Sequence, residues 1–174
     1  HLTPKAGLVD AISNGAHKDM NIDTFIDSCN ALRPFMKKFV KTGSSMSSQT
    51  AKDLLPELRL VGIEAEKAMF EATDGVNTHK GMIFTLGLIC GAVGWLHNND
   101  VKFSSEEVRK VIQVCCKDLV TQDLTNLNPK SMTAGERIYD LYGLSGIRGE
   151  AMRGYPTIFL YGLPVYQECI EKGR

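Results

Sequence analysis

A chain of 174 residues with 43% apolar content can bury a hydrophobic core, so one folded domain spanning residues 1–174 is expected and a disordered chain is excluded. Lysine plus arginine and aspartate plus glutamate number 20 each, so no net field draws the molecule to nucleic acid or an anionic membrane, and any anion site must be local. Cys29, Cys90, Cys115, Cys116 and Cys169 form no C-x-x-C pair and have no histidine at zinc-ligand spacing, which points to reduced thiols in a cytoplasmic protein.

The opening His1-Leu2-Thr3-Pro4 lacks the basic and apolar runs of a signal peptide, and the chain is expected to start within a longer protein. Pro4, Gly7, Asn14 and Gly15 punctuate the first twenty residues, which read as an ordered loop of the kind that carries sites. From Asn21, the apolar residues Ile22, Phe25, Ile26, Cys29, Leu32, Met36, Phe39 and Val40 predict one helical face that ends at Gly43 and the serines after it, with Pro34 as a point of kinking. A second helix is predicted over 50–72 with Leu54, Leu55, Leu58, Val61, Ala65, Ala68 and Met69 inward, stopped by Asp74-Gly75. Residues 79–97 predict a helix apolar nearly all round, hence buried. Its run between Lys80 and His97 is shorter than the roughly 20 residues of a membrane span, which favours a central core helix with a packing notch at Gly87 and Gly91.

Ser104 and Glu107 have capping-box spacing before a fourth helix carrying Val108, Val111, Ile112, Cys115 and Leu119. Thr133 and Glu136 repeat that spacing before a short helix ending at Gly143. Gly146, Gly149 and Gly154 follow with no element predicted, and Pro164 predicts a break in the last apolar stretch, 157–170, whose first five residues are a weak strand candidate. The expected fold class is all-α, a multi-helix bundle around the central helix at about residues 79–97.

Three polar segments, 4–23, 75–81 and 133–154, lie where loops meet helices, and unpaired first-turn amides favour phosphate there. In the middle one, Asn77 or Thr78 can cap the helix, while His79 and Lys80 place positive charge where the dipole already repels it. A phosphate, or a carboxylate such as Asp74, would offset that charge. Lys80 precedes its glycine, so this is no Walker A loop. Asp19, Asn21 and Asp23 mimic the start of a calcium loop, but Thr24 and Asn30 occupy its glycine and glutamate positions, which excludes an EF-hand. Asp10 or Asp19 as a Mg²⁺ ligand, with substrate phosphate completing the shell, is the open alternative. Glu136 serves capping or catalysis equally well, and Arg148 either clamps a phosphate or pairs with a carboxylate such as Glu150. The absence of any His-Asp dipeptide argues against a metal-dependent phosphohydrolase of the HD type.

These segments contain Pro4-Lys5-Ala6-Gly7-Leu8-Val9-Asp10, Asn14-Gly15-Ala16-His17-Lys18-Asp19-Met20, Gly75-Val76-Asn77-Thr78-His79-Lys80-Gly81-Met82-Ile83-Phe84 and Ile147-Arg148-Gly149-Glu150-Ala151, the last followed by Gly154-Tyr155-Pro156. In these strings the chain resembles the CitG family, the triphosphoribosyl-dephospho-CoA synthases; Ala6 stands where the family usually has proline. The resemblance implies a longer parent protein that binds ATP and 3′-dephospho-CoA. Its reaction would be attack of the dephospho-CoA 2′-hydroxyl on C1 of the ATP ribose with loss of adenine, making the prosthetic-group precursor of citrate lyase or malonate decarboxylase. On that reading Lys5, Asn77, Lys80 and Arg148 bind ATP and its phosphates, Asp10 and Asp19 hold Mg²⁺, and Asp19, His17, His79 and Glu150 are the catalytic candidates. The rival expectations are a helical interaction module without catalysis, and hydrolysis of a nucleotide N-glycosidic bond on the same scaffold. Association into a homo-oligomer is expected if apolar faces stay uncovered.

Overall fold

Asn21 starts the first helix with a reciprocal cap: its side-chain oxygen accepts from Thr24 N at 2.9 Å, and its own N–H donates to the Thr24 hydroxyl at 3.3 Å. The structure, a computed structural model, describes residues 3–46 and 50–173. Along these residues run α1 (Ile22–Ser45), a 3₁₀ turn (Ala51–Asp53), α2 (Leu54–Ala72), α3 (Lys80–Asn98), α4 (Ser105–Cys115), α5 (Leu119–Leu124), α6 (Ala134–Tyr142), α7 (Gly146–Met152), a π-helical turn (Thr157–Gly162) and α8 (Leu163–Glu171). No strand occurs among the described residues, as the all-α expectation requires.

Helix α3 packs against α1, α2 and α4, with Ile83, Leu88, Ala92 and Leu96 buried. It is long and apolar enough to cross a membrane, and 39% of that stretch is buried inside the fold. Burying each of its large aliphatic side chains stabilises the fold by about 1.5–3 kcal/mol. The crossing of α1 and α3 is unusually close because glycine faces backbone on both helices. A Cβ on Gly43 would lie 2.0 Å from Gly91 O, and one on Gly94 would lie 2.0 Å from Val40 O. Ser44 Oγ ties the crossing by donating to Gly94 O at 3.2 Å. The notch expected at Gly87 and Gly91 is present, filled by the Phe39 ring and the Leu58 side chain.

This packing corrects the first-helix boundary. The helix runs through Pro34 and past Gly43 to Ser45, because Gly43 is there for close approach and not as a terminator. Ser47 and Ser48 lie outside the described residues. The inward face is also rotated from the apolar pattern near its start: Ser28 is buried while Ile26 and Cys29 are exposed.

Helix α2 buries the predicted stripe of Leu54, Leu55, Leu58, Val61, Ala65 and Met69, and stops where Asp74 and Gly75 adopt positive φ of 51° and 85°. Ser104 caps α4, accepting from Glu107 N at 3.2 Å, but the helix ends at Cys115 and Leu119 begins α5 after a turn. Residues 146–152, for which the sequence pattern predicts no element, form α7, which packs on α4 and α5. Gly149 is needed there as a small residue, since a Cβ would meet Ser145 Oγ at 1.9 Å. The strand candidate at 157–161 is instead helical: the break before Pro164 is a change from π to α winding, with the proline in the first turn of α8. Neither segment has a buried residue, and Leu160, Tyr161, Val165, Tyr166 and Ile170 are exposed.

Candidate functional site

The first predicted segment folds around the Asp10 carboxylate. Asp10 Oδ2 accepts from Lys5 N at 2.6 Å, and Oδ1 accepts from Ile12 N and Ser13 N, both at 2.9 Å. These amides, Ile12 first, with help from the Lys5 ammonium, hold its carboxyl below the usual range against the opposing effect of burial. Both oxygens of this expected Mg²⁺ ligand are thus engaged by backbone. Gly15, at φ +59°, allows the loop to fold back, because a Cβ there would sit 2.5 Å from Gly7 C. His17 Nδ1 lies 3.7 Å from Asp19 Oδ1 at the surface, where Asp19 is the more open carboxylate. Among the described residues, no three histidine, cysteine, aspartate or glutamate side chains converge to hold a metal ion.

A depressed folded pKa contributes stability above the ordinary carboxylate pKa and loses it as pH falls through the folded value. Asp10→Asn is therefore expected to melt below the parent at neutral pH, with the gap closing below about pH 4. A gap that stayed constant in melts across the acid range would show that the charge of Asp10 is not what closes the loop.

At the start of α3, the Asn77 side chain accepts from Lys80 N at 3.2 Å. Thr73 shapes the preceding turn, its hydroxyl lying 2.8 Å from Met69 O and 2.6 Å from Val76 O. His79 turns toward α1: Nδ1 is 2.7 Å from Ser28 Oγ, Phe25 meets the ring edge-on with centroids 4.7 Å apart, and Nε2 lies 3.8 Å from Cys29 Sγ. Burial pushes its pKa down, so the ring is neutral at pH 7 and the expected pair of positive charges at this helix end reduces to one. Lys80 turns the other way, toward α2, where its ammonium meets Glu66 at 3.0 Å. A carboxylate offsets the lysine, but it is Glu66 and not Asp74.

Lys80 stands on the rim of an open cleft of about 300 Å³ between α2, α3, α5 and α7. Leu58, Ile83, Phe84 and Leu88 contribute its apolar floor, and Arg59, Asp123 and Arg148 continue the rim. Asp123 bridges the two arginines, with Oδ1 2.6 Å from Arg59 Nη2 and Oδ2 2.9 Å from Arg148 Nε. Arg148 Nη2 is also 3.8 Å from Glu136 Oε1. Glu136 meanwhile completes the α6 capping box, and the Thr133 amide, then its hydroxyl, holds the Glu136 carboxyl below the usual range, with a smaller contribution from Arg148. Glu150 contacts Thr157 N at 3.3 Å and Arg153 at 4.0 Å, and does not line the cleft.

The strings that suggested a family lie in these clusters. The family described as ATP:dephospho-CoA triphosphoribosyl transferase, CitG, matches residues 1–174. The chain belongs to the CitG family. Similar proteins include a probable 2-(5''-triphosphoribosyl)-3'-dephosphocoenzyme-A synthase of Vibrio cholerae, 51% identical over 99% of this chain and 56% of that protein. A protein of the same name from Photobacterium profundum is 48% identical over 99% of this chain and 55% of its own length, and one from Streptococcus mutans is 40% identical over 99% and 62%. The chain thus spans a little over half the length of the curated relatives it matches. No solved structure matches it.

Within this CitG chain the structure brings Lys80 and Arg148 to one cleft, and places His79 against α1. Arg59, Glu66 and Asp123 are not among the residues the sequence points to, because they look like ordinary solvated helix positions until α2 meets α3 and α5. Sequence reasoning also missed Ser28, whose one signal was a polar residue inside an otherwise apolar helical stripe.

Proposed function

We propose that the chain carries nucleotide-binding and catalytic residues of a transferase that moves the 5-triphosphoribosyl group of ATP to the ribose 2′-hydroxyl of 3′-dephospho-CoA. The observation that carries this reading is the cationic rim of Lys80, Arg59 and Arg148 over an apolar floor, in a chain matched by the CitG family from end to end. Apolar clefts with a few converging polar groups take small ligands, and arginine forks suit phosphate oxygens. Glu66 and Asp123 pair with these cations at the cleft, three cations to two carboxylates, so a phosphate bound here has to compete with those carboxylates for its partners.

In the transfer, the 2′-oxygen bonds to C1 of the ATP ribose as the bond from C1 to the purine nitrogen breaks. That electron pair leaves with adenine, and the proton lost by the hydroxyl balances the one adenine takes up. The ribosyl centre gains oxocarbenium character, which a nearby carboxylate stabilises; Asp19 and Glu150 are the candidates, with His17 and His79 for proton management. Lys5 and Asn77 add donors for phosphate. Mg²⁺ accompanies the triphosphate and neutralises part of its charge, and the exposed Asp19 carboxylate suits it better than Asp10, whose oxygens are engaged. The product would be the prosthetic-group precursor of an acyl carrier protein. We place the enzyme in the cytoplasm; all five of its cysteines are free thiols. The uncovered apolar residues of α6 and α8 favour association, with a second copy as one partner.

The test is adenine release from Mg-ATP with and without 3′-dephospho-CoA, followed by mass analysis of the coenzyme, on this chain and on a full-length family member. Release that requires dephospho-CoA and yields a triphosphoribosylated coenzyme is the expected result. Adenine released equally without it would identify a hydrolase, and no release by the full-length protein would overturn the reading.

A further inference from the structure

Ser28 is completely buried on α1, yet its hydroxyl meets two polar groups from a segment about fifty residues away. The Thr78 hydroxyl donates to Ser28 Oγ at 2.6 Å, and Ser28 Oγ lies 2.7 Å from His79 Nδ1. A hydroxyl has one proton, and Thr78 already fills one of the acceptor positions on Ser28. With the Ser28 proton directed at His79, Nδ1 is the acceptor and the single proton of the neutral ring lies on Nε2; with it directed elsewhere, Ser28 accepts from Nδ1–H through its second lone pair. Two further contacts fix the imidazole: the Phe25 ring against its edge, and the His79 backbone N–H donating to Met69 Sδ at 3.2 Å. Contacts from both α1 and α2 therefore hold a residue that makes no side-chain cap for α3.

We propose that Ser28 and Thr78 are positioning residues whose hydroxyls, donating in the order Thr78 to Ser28 to His79 Nδ1, hold His79 in the Nε2–H form. His79 then meets substrate as a hydrogen-bond donor and not as a base. This rests on the transferase reading above, in which the atom gaining negative charge belongs to the departing purine as its bond to C1 breaks. A neutral donor with a fixed proton suits that atom, because it needs no reorganisation as charge develops. In the structure Nε2 has the Cys29 thiol as its neighbour at 3.8 Å, and a substrate edge that takes the Nε2 proton does so in place of this exposed thiol.

The experiment is a long-range ¹⁵N–¹H spectrum of the histidine-labelled chain above neutral pH, with the His79 signals identified by their loss in His79→Gln. The parent is expected to show bare Nδ1 and protonated Nε2, and Ser28→Ala to move both nitrogens toward the average of the two forms. Thr78→Val, at a half-buried position, reports the same shift should Ser28→Ala fail to fold. In a full-length family member, His79→Gln is expected to lower kcat by roughly 10²-fold and Ser28→Ala by roughly tenfold with KM little changed. The double variant should be no worse than His79→Gln alone. A parent ring protonated on Nδ1, or spectra unchanged by the hydroxyl deletions, overturns the proposal whatever the activity. A shifted tautomer with turnover unaffected by His79→Gln overturns the positioning role alone and leaves the transferase reading standing. Loss of the parent's own dephospho-CoA-dependent adenine release would sink that reading instead.

Discussion

Replacing Gly94 by alanine is expected to lower the melting temperature by roughly 6–12 °C, a large effect for one methyl group. In a helix interior alanine is worth about 1 kcal/mol more than glycine, so on propensity alone the change would stabilise α3. At Gly94 the added Cβ would fall 2.0 Å from Val40 O, a backbone atom on α1 that cannot swing aside as a side-chain tip would. Relief requires the two helices to part, which loosens the contacts beside it between Gly43 and Gly91 and the Ser44 to Gly94 hydrogen bond. Overpacking of this kind costs about 3 kcal/mol or more, and each kcal/mol moves the melting point of a chain this size by about 2–4 °C. Gly62, also within a helix, is the internal control, since a Cβ there meets nothing within 4 Å. Gly62→Ala should raise the melting point slightly. Thermal melts followed by circular dichroism read both signs, and a Gly94→Ala protein as stable as the parent would refute the backbone contact.

For function, Arg148→Ala is expected to reduce kcat/KM by roughly 10²-fold or more in a full-length family member, the loss typical of removing one donor to developing or transferred charge. Stability should change far less. A partly exposed ion pair contributes about 1 kcal/mol, and Asp123 keeps Arg59 at 2.6 Å, so no buried carboxylate is orphaned. Arg148→Lys should recover the charge but only part of the activity, because a lysine cannot bridge Asp123 and Glu136 or grip a phosphate with a planar fork. Equal activity of parent and Arg148→Ala, measured as adenine release, would remove the cleft from the reaction. A fall in activity matched by an equal fall in melting point would assign Arg148 to structure alone.

Much of the fold was legible because helical periodicity is local: the stripes of α2 and α4, the stop at Asp74 and Gly75, and the Thr133 capping box each depend on residues within a few positions. The polar strings likewise marked Lys80, His79 and Arg148 before any geometry was known. What sequence could not convey was direction. His79 and Lys80 are neighbours in the chain, yet successive positions at a helix start point to different sides, so one side chain meets α1 and the other meets α2. Arg59, Glu66 and Asp123 acquired meaning only where α2, α5 and α7 converge, and Asp10 proved to be engaged by three loop amides that no spacing rule reveals. The sequence by itself determined that α1 to α4 and α6 are helices and which family the chain resembles, since both are written in local pattern. Tertiary structure alone decided that Gly43 and Gly94 are close contacts and which charges share a cleft, because these depend on distances between residues far apart in the chain.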